Sequence, residues 1–264
     1  MRTAVHRSED AAIPACGIAV MAKASIPGRT KTRLVPPVTF EEAAHCNTAF
    51  LRDIGENILA AAARASVAGY LAFGPPSARR FFQETLPGEI GLLEAWYPNF
   101  GDCLACTIAQ LLQRGHASAV VLNSDSPTLP NALLVETAKM LARPGDHHIV
   151  LGPADDGGYY LLGMKAMHRR LFHDISWSTE QVACQTMERA AELGLSVHVL
   201  PKWYDVDDVR ALNMLREELF EGRSFAPHLC PNQPRHTSAL MQSLLENSDF
   251  KDRLACDEFR RAAE

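Results

Sequence analysis

No apolar run among the 264 residues approaches the roughly 20 needed for a helix to cross a membrane. The first fifteen residues, MRTAVHRSEDAAIPA, lack the continuous apolar core of a secretory signal, and residues 1–15 read as a flexible leader. A basic excess is also missing. Lys and Arg total 26 against 31 Asp and Glu, a formal charge of −5, which argues against a nucleic-acid-binding surface. The seven cysteines, at 16, 46, 103, 106, 184, 230 and 256, are odd in number and scattered, as expected of free thiols in a reducing cytoplasm. Cys103 and Cys106 make a lone CxxC inside a helix-like stretch. A zinc site would want two more ligands, so small buried residues are the better reading. Two nucleotide-binding signatures are absent as well: GxxxxGK followed by Ser or Thr, and GxGxxG. There is no Ser-His-Asp order and no internal repeat.

What is present is the pattern of a soluble globular chain, with 47% hydrophobic and 22% charged residues, long enough to bury a sizeable core. Strand-like runs at residues 17–23, 67–73, 90–93, 119–123, 148–151, 159–164 and 196–200 alternate with helix-like stretches. That alternation predicts an α/β fold with a mostly parallel central sheet and helices on both faces. Thr39 with Glu42, and Ser178 with Gln181, have the spacing of capping boxes and place two helix starts. This domain is expected over residues 16–222. A Pro- and His-rich linker over 223–237 and a helical tail over 238–264 follow. His228, Cys230 and His236 in that region read as linker residues rather than metal ligands.

Several segments carry chemistry-bearing residues to strand ends. The loop AKASIPGRTKTRL after the first strand holds Lys23, Arg29, Lys31 and Arg33 around a Pro27-Gly28 turn. Arg and Lys at such density suit a di- or triphosphate, and a solvated surface loop is the alternative. NSDSPTLP sets Asp125 just past a buried strand, at the edge where open α/β sheets bind ligands. Mg²⁺ takes such a carboxylate together with phosphate oxygens, whereas an Asx turn or helix cap is the plain alternative. WYDVDD supplies further acids. Asp205 and Asp207 share one face, opposite Val206, and Asp208 suits a helix cap. GPADDGGYYLLG reads either as a hairpin turn or as a place where glycines admit a ligand. Asp156 is its candidate for facing an acceptor. In DISWST, Trp177 is core or pocket wall, and the helix start that follows favours anions.

The ordered set AKASIPGRTKTRL, SDSPTLP, GPADDGGYYLLG, LFHDISWST and DVDD resembles a bacterial family with the glycosyltransferase-A, or nucleotide-diphospho-sugar transferase, fold. Its members are known as glycosyltransferases or radical-SAM/selenodomain-associated transferases. The ground plan is also similar to 2-phospho-lactate guanylyltransferase and the molybdenum-cofactor nucleotidyltransferases. The likeness runs over about residues 17–220. It implies a nucleotide at the carboxyl edge of the first strands, with Lys23, Gly28, Arg29, Lys31, Thr32, Arg33 and Ser124 at its phosphates. It implies Mg²⁺ or Mn²⁺ on Asp125 and Asp207. Gly157, Gly158, Tyr159, Trp177, Ser178 and Thr179 would form the acceptor side. Lys31, Arg33 and Asp156 would act in catalysis.

The expected activity is metal-dependent transfer of a glycosyl or nucleotidyl group from a nucleotide-activated donor to a small acceptor, with neither nucleic acid nor membrane as partner. In the nucleotidyl form the cationic loop stabilises charge on the leaving pyrophosphate. In the glycosyl form Asp156 would deprotonate an acceptor hydroxyl. A silent nucleotide-binding or partner-docking module is the reading from another class. Its weakness is that it leaves Asp125, Asp156 and Asp207 without a use.

Overall fold

The computed structural model describes residues 15–254. The expected leader lies outside the described residues but for Ala15, as do residues 255–264 of the expected tail, Cys256 among them. Seven strands form one sheet: β1 Cys16–Ala22, β2 Val67–Phe73, β3 Gly91–Glu94, β4 Ser118–Leu122, β5 His148–Pro153, β6 Tyr159–Met164 and β7 Ser196–Val199. Their order is β3-β2-β1-β4-β6-β5-β7, and β6 alone runs against its neighbours. The carboxyl ends of β1, β2, β3 and β4 therefore share one edge, where β6 begins. The predicted α/β architecture is the observed one.

Helices accompany the sheet, among them α1 Phe40–Ala62, α2 Arg79–Thr85, α3 Phe100–Gln113, α4 Asn131–Leu141, α5 Val182–Glu192, α6 Val209–Phe220 and α7 Arg235–Glu246. The apolar runs of β1 and β4 divide between two faces because strand side chains alternate. Ile18, Val20, Val120 and Leu122 join a core with α1, α4, α6 and α7. Ala19, Ala119 and Val121 join a second core with α3 and with Ala190 of α5. Burial on both faces is why these runs are continuously hydrophobic.

Local sequence explains several boundaries. Thr39 and Glu42 form the expected capping box on α1. Asp208 caps α6 by accepting the N–H of Ala211 at 2.8 Å. The second expected box fails. Ser178 sits at φ 65°, outside the extended region an N-cap requires, and α5 starts four residues later at Val182. The cause lies in the β5–β6 hairpin. Gly157 packs so closely that an added Cβ would stand 2.1 Å from the Glu180 carbonyl oxygen, and its own carbonyl accepts the Ala183 N–H at 3.0 Å.

The carboxyl-terminal segment packs along α1. α7 begins at Arg235, three residues ahead of the expected helical tail. Both carboxylate oxygens of Asp53 on α1 accept backbone N–H groups at its start, from His236 at 2.9 Å and Thr237 at 2.7 Å. Two of the orphan donors of that helix are thereby satisfied. Further on, Arg253 donates to the Pro37 carbonyl and to Glu42, fastening the segment to the start of α1.

Candidate active site

Two acidic segments distant in sequence meet at the shared strand edge. Past β5 the chain returns beside Ala154 through a parallel bridge to Trp203. Val206 N–H then donates to the Asp125 carbonyl at 2.8 Å, and Ser126 Oγ donates to the Tyr204 carbonyl at 2.8 Å. Val206 is fully buried, so the alternation of an extended chain turns Asp205 and Asp207 the other way, as their spacing predicts.

The β1–α1 loop reaches this point. Thr30 Oγ1 closes the loop's first turn on the Ala24 carbonyl, and Asn47 of α1 donates to the Lys23 carbonyl and to Ser25 Oγ. Lys31, at φ 54°, then points inward. Its Nζ lies 2.7 Å from Asp125 Oδ1, 2.7 Å from Asp207 Oδ1 and 2.9 Å from the Val206 carbonyl. Its side chain is 5% exposed. Arg33, largely exposed, reaches Asp207 Oδ2 at 2.5 Å.

The electrostatics follow from these distances. Burial pulls the Lys31 ammonium down, but Asp125 and Asp207 outweigh it and hold its pKa above the usual lysine value. Burial pushes Asp207 up, and Lys31 with Arg33 more than reverse that, leaving it below the carboxylate norm. Asp205 has no such partner. Burial first, then the charges of Asp156, Asp207 and Asp125, push it up to about 7.

Beside this cluster opens a pocket of about 550 Å³. Lys23, Arg29, Lys31, Thr32 and Arg33 line one end, with Ser124, Asp125 and Asp207 next to them. Phe73, Gly74, Ala95, Trp96 and Phe100, from the ends of β2 and β3 and the start of α3, form the other. Trp96 is 63% exposed and lies over Gly74, where a Cβ would come within 2.3 Å of its ring. Tyr159 and Ser178 complete the lining on the hairpin side. Two buried polar atoms in the lining residues, Asn123 Oδ1 and the Tyr159 hydroxyl, have no hydrogen-bond partner among the described residues. Such groups are rare in folded proteins and recur at functional sites.

The remaining predicted residues stand off the pocket. Gly28 turns the loop tip at φ 74° with open space around it. Asp156 Oδ1 accepts the Gly158 N–H at 2.8 Å, an Asx turn within the hairpin, and Asp156 is exposed. Gly157 serves the contact with Glu180 described above. Thr179 Oγ1 donates to the Ser176 carbonyl. Trp177 packs edge-on against Phe100 with ring centroids 5.4 Å apart and lines a smaller hollow of about 370 Å³ with Arg170 and His173.

The aromatic end is what site prediction from sequence misses. The WYPNF segment has no periodicity, and only the placement of β3 beside β2 brings Trp96 over Gly74. A tryptophan followed by a tyrosine just past a strand-like run was the available signal.

The oxygens that converge on Lys31 Nζ, two carboxylate and one carbonyl, are the hard donor set that Mg²⁺ or Mn²⁺ takes, so Asp125 and Asp207 fit such an ion. Among the described residues another cluster, Asp53, Glu56 and His236, brings its ligand atoms within 4.8 Å of one another. Its atoms are already engaged in seating α7, and none of the three lines the pocket.

Residues 57–179, under half of the chain, match the family described as "Uncharacterized protein conserved in bacteria (DUF2064)". No curated protein matches the chain. Among solved structures, a candidate nucleotide-diphospho-sugar transferase from Desulfovibrio desulfuricans G20 superposes with a TM-score of 0.74 at 24% identity, over 90% of this chain and 97% of that one. A CMP:2-keto-3-deoxy-manno-octonic acid synthetase complexed with CTP aligns at a TM-score of 0.49 and 11% identity, over 79% and 99%. A 4-diphosphocytidyl-2C-methyl-D-erythritol synthase aligns at 0.48 and 11%, over 76% and 96%. With a sheet that is parallel but for β6, the chain has the α/β fold of nucleotide-diphospho-sugar transferase structures.

Proposed function

We propose that the chain is a metal-dependent transferase that takes a nucleotide-activated donor and, of the two forms open to it, transfers a nucleotidyl group to a small anionic acceptor. The observation that carries this reading is the polarity of one pocket. Its cationic end suits phosphates and its aromatic end suits a base.

The roles divide along that axis. Trp96 and Phe100 take the flat faces of the base. Lys23, Arg29, Thr32 and Ser124 hold phosphate oxygens, with Gly28 giving the loop its turn. Lys31 and Arg33 stabilise the charge that builds on departing pyrophosphate as the acceptor attacks the α-phosphorus. Asp125 and Asp207 hold the Mg²⁺ or Mn²⁺, which when bound adds charge neutralisation at the same phosphates. Tyr159 and Ser178 wall the acceptor side, on a frame built by Gly157, Gly158, Trp177 and Thr179. An anionic acceptor attacks without a strong base. This favours nucleotidyl over glycosyl transfer, because Asp156 lies outside the pocket lining with one oxygen committed to its own turn.

The test is thermal stabilisation by each NTP and by nucleotide sugars, with and without Mg²⁺ or Mn²⁺. Ligand that binds the folded state raises stability with its concentration. The expected result is a metal-dependent shift with one NTP, abolished in Asp125→Ala, followed by pyrophosphate release once the acceptor is found. No shift with any nucleotide would refute the reading. A shift confined to nucleotide sugars would replace nucleotidyl by glycosyl transfer.

A further inference from the structure

The point where a divalent ion would meet Asp125 and Asp207 is held by the chain's own cation. Lys31 Nζ stands 2.7 Å from each carboxylate and 2.9 Å from the Val206 carbonyl, with its side chain 5% exposed. An ammonium and a divalent ion cannot both sit within bonding distance of the same oxygens, because their like charges repel in a site shielded from water. One must leave for the other to enter.

Lys31 has somewhere to go. Thr30 before it is buried, but Thr32 and Arg33, which follow it, are exposed. Beyond the acidic cluster its ammonium faces the Phe50 ring, 5.6 Å from the centroid. The residue also lines the pocket in company with Arg29 and Arg33. Phosphates bound among those cations would give the displaced ammonium a new anionic partner.

We infer that Lys31 and a divalent cation exchange at the Asp125–Asp207 site, so that the nucleotide-free protein neutralises itself and takes up its ion tightly only when nucleotide phosphates receive the lysine. This rests on the nucleotide-transferase reading and adds an order of loading to it. By linkage, the nucleotide tightens the metal and the metal tightens the nucleotide by the same factor.

The experiment measures Mn²⁺ binding, with Mn²⁺ as the only ligand, by the electron paramagnetic resonance signal of the free ion. Lys31→Met is expected to bind Mn²⁺ at least about tenfold more tightly than wild type, equivalent to about 1.4 kcal/mol. Lys31→Met with Asp125→Asn should lose that gain, and Lys139→Met, which removes a remote charge, should match wild type. Because Lys31→Met strips the buried cation from both acids and leaves Asp207 with Arg33 alone, a second measurement uses wild type and does not depend on the variant's folding. Reductive methylation read by mass spectrometry should label Lys31 several-fold faster in saturating Mn²⁺ than without it.

Equal or weaker Mn²⁺ binding by folded Lys31→Met, or Lys31 labelling unchanged while Mn²⁺ binds, overturns the exchange and leaves the transferase reading standing. Mn²⁺ bound by neither protein, alone or with any nucleotide, overturns both.

Discussion

The Val206 N–H donates to the Asp125 carbonyl at 2.8 Å, and this backbone bond fixes the distance between the two carboxylates that grip Lys31. Asp125 follows β4 and Asp207 precedes α6, so the bond joins two layers of the fold at the sheet edge. The site is thus built on elements of the sheet edge, with its central cation supplied by a loop.

Asp207→Asn should test that arrangement directly. It removes one of two charges from a buried ammonium and, among the described residues, the carboxylate paired with Arg33. A fully buried pair broken this way costs about 3–5 kcal/mol. Asp207 is 32% exposed, so a loss of about 1–2 kcal/mol is expected from solvent screening. Chemical denaturation measures it. Unchanged stability would mean that Lys31 does not depend on this carboxylate. The nucleotide- and metal-dependent thermal shift should vanish in the same variant.

Trp96 offers a separate handle on the other end of the pocket. Stacking a base on an aromatic ring is worth about 1–3 kcal/mol by alanine substitution. Trp96→Ala should weaken nucleotide binding by that amount while leaving the melting temperature unchanged, since the ring is 63% exposed. Gly74→Ala should mimic it, because the new methyl would come within 2.3 Å of the ring and force it aside. Titration calorimetry separates the outcomes: full affinity in Trp96→Ala would remove the aromatic end from the site.

The difference between these two ends explains what the sequence disclosed. β1 and β4 announced themselves as continuous apolar runs because both faces of a parallel strand are buried, and that placed Asp125 at a strand end. The shared face of Asp205 and Asp207 was legible through alternation around buried Val206, and the family resemblance singled out Asp207 of the two. The grip of Lys31 on both was not, because a loop's inward-pointing residue is chosen by tertiary packing and carries no period. Trp96 was hidden for a similar reason. Its partner is a glycine on a neighbouring strand, and strand order is not written in local pattern. The Ser178 capping box misled because Ser-x-x-Gln describes spacing alone, while the close packing of Gly157 on Glu180 moved the helix start.

Gly157→Ala should show how much of the acceptor-side frame hangs on that contact. The glycine sits at φ 90°, and its Cβ would stand 2.1 Å from backbone that cannot swing away. Strain at the dihedral and displacement of the α5 start should together lower stability by more than about 2 kcal/mol. Gly194→Ala, also at positive φ but with nothing within 4 Å, should lose only about 1 kcal/mol. Denaturant midpoints for the pair measure the difference, and equal losses would remove the Glu180 contact from the explanation.

The seating of α7 on α1 should be sensitive to acid through Glu56. Partial burial raises its pKa, but hydrogen bonds and charge from His236 and Arg235 more than compensate, so the folded value lies below the usual 4.5. A depressed carboxylate contributes stability above its unfolded pKa and loses that contribution as pH falls through the folded value. Glu56 therefore stabilises the contact fully at neutral pH and progressively less below about pH 4.5. Glu56→Gln should reduce stability at pH 7 and flatten the loss between pH 5 and pH 3 relative to wild type. Hydrogen exchange of the α7 amides at those pH values localises the effect. Identical pH profiles for the two proteins would show that Glu56 carries no linkage between protonation and the docking of this helix.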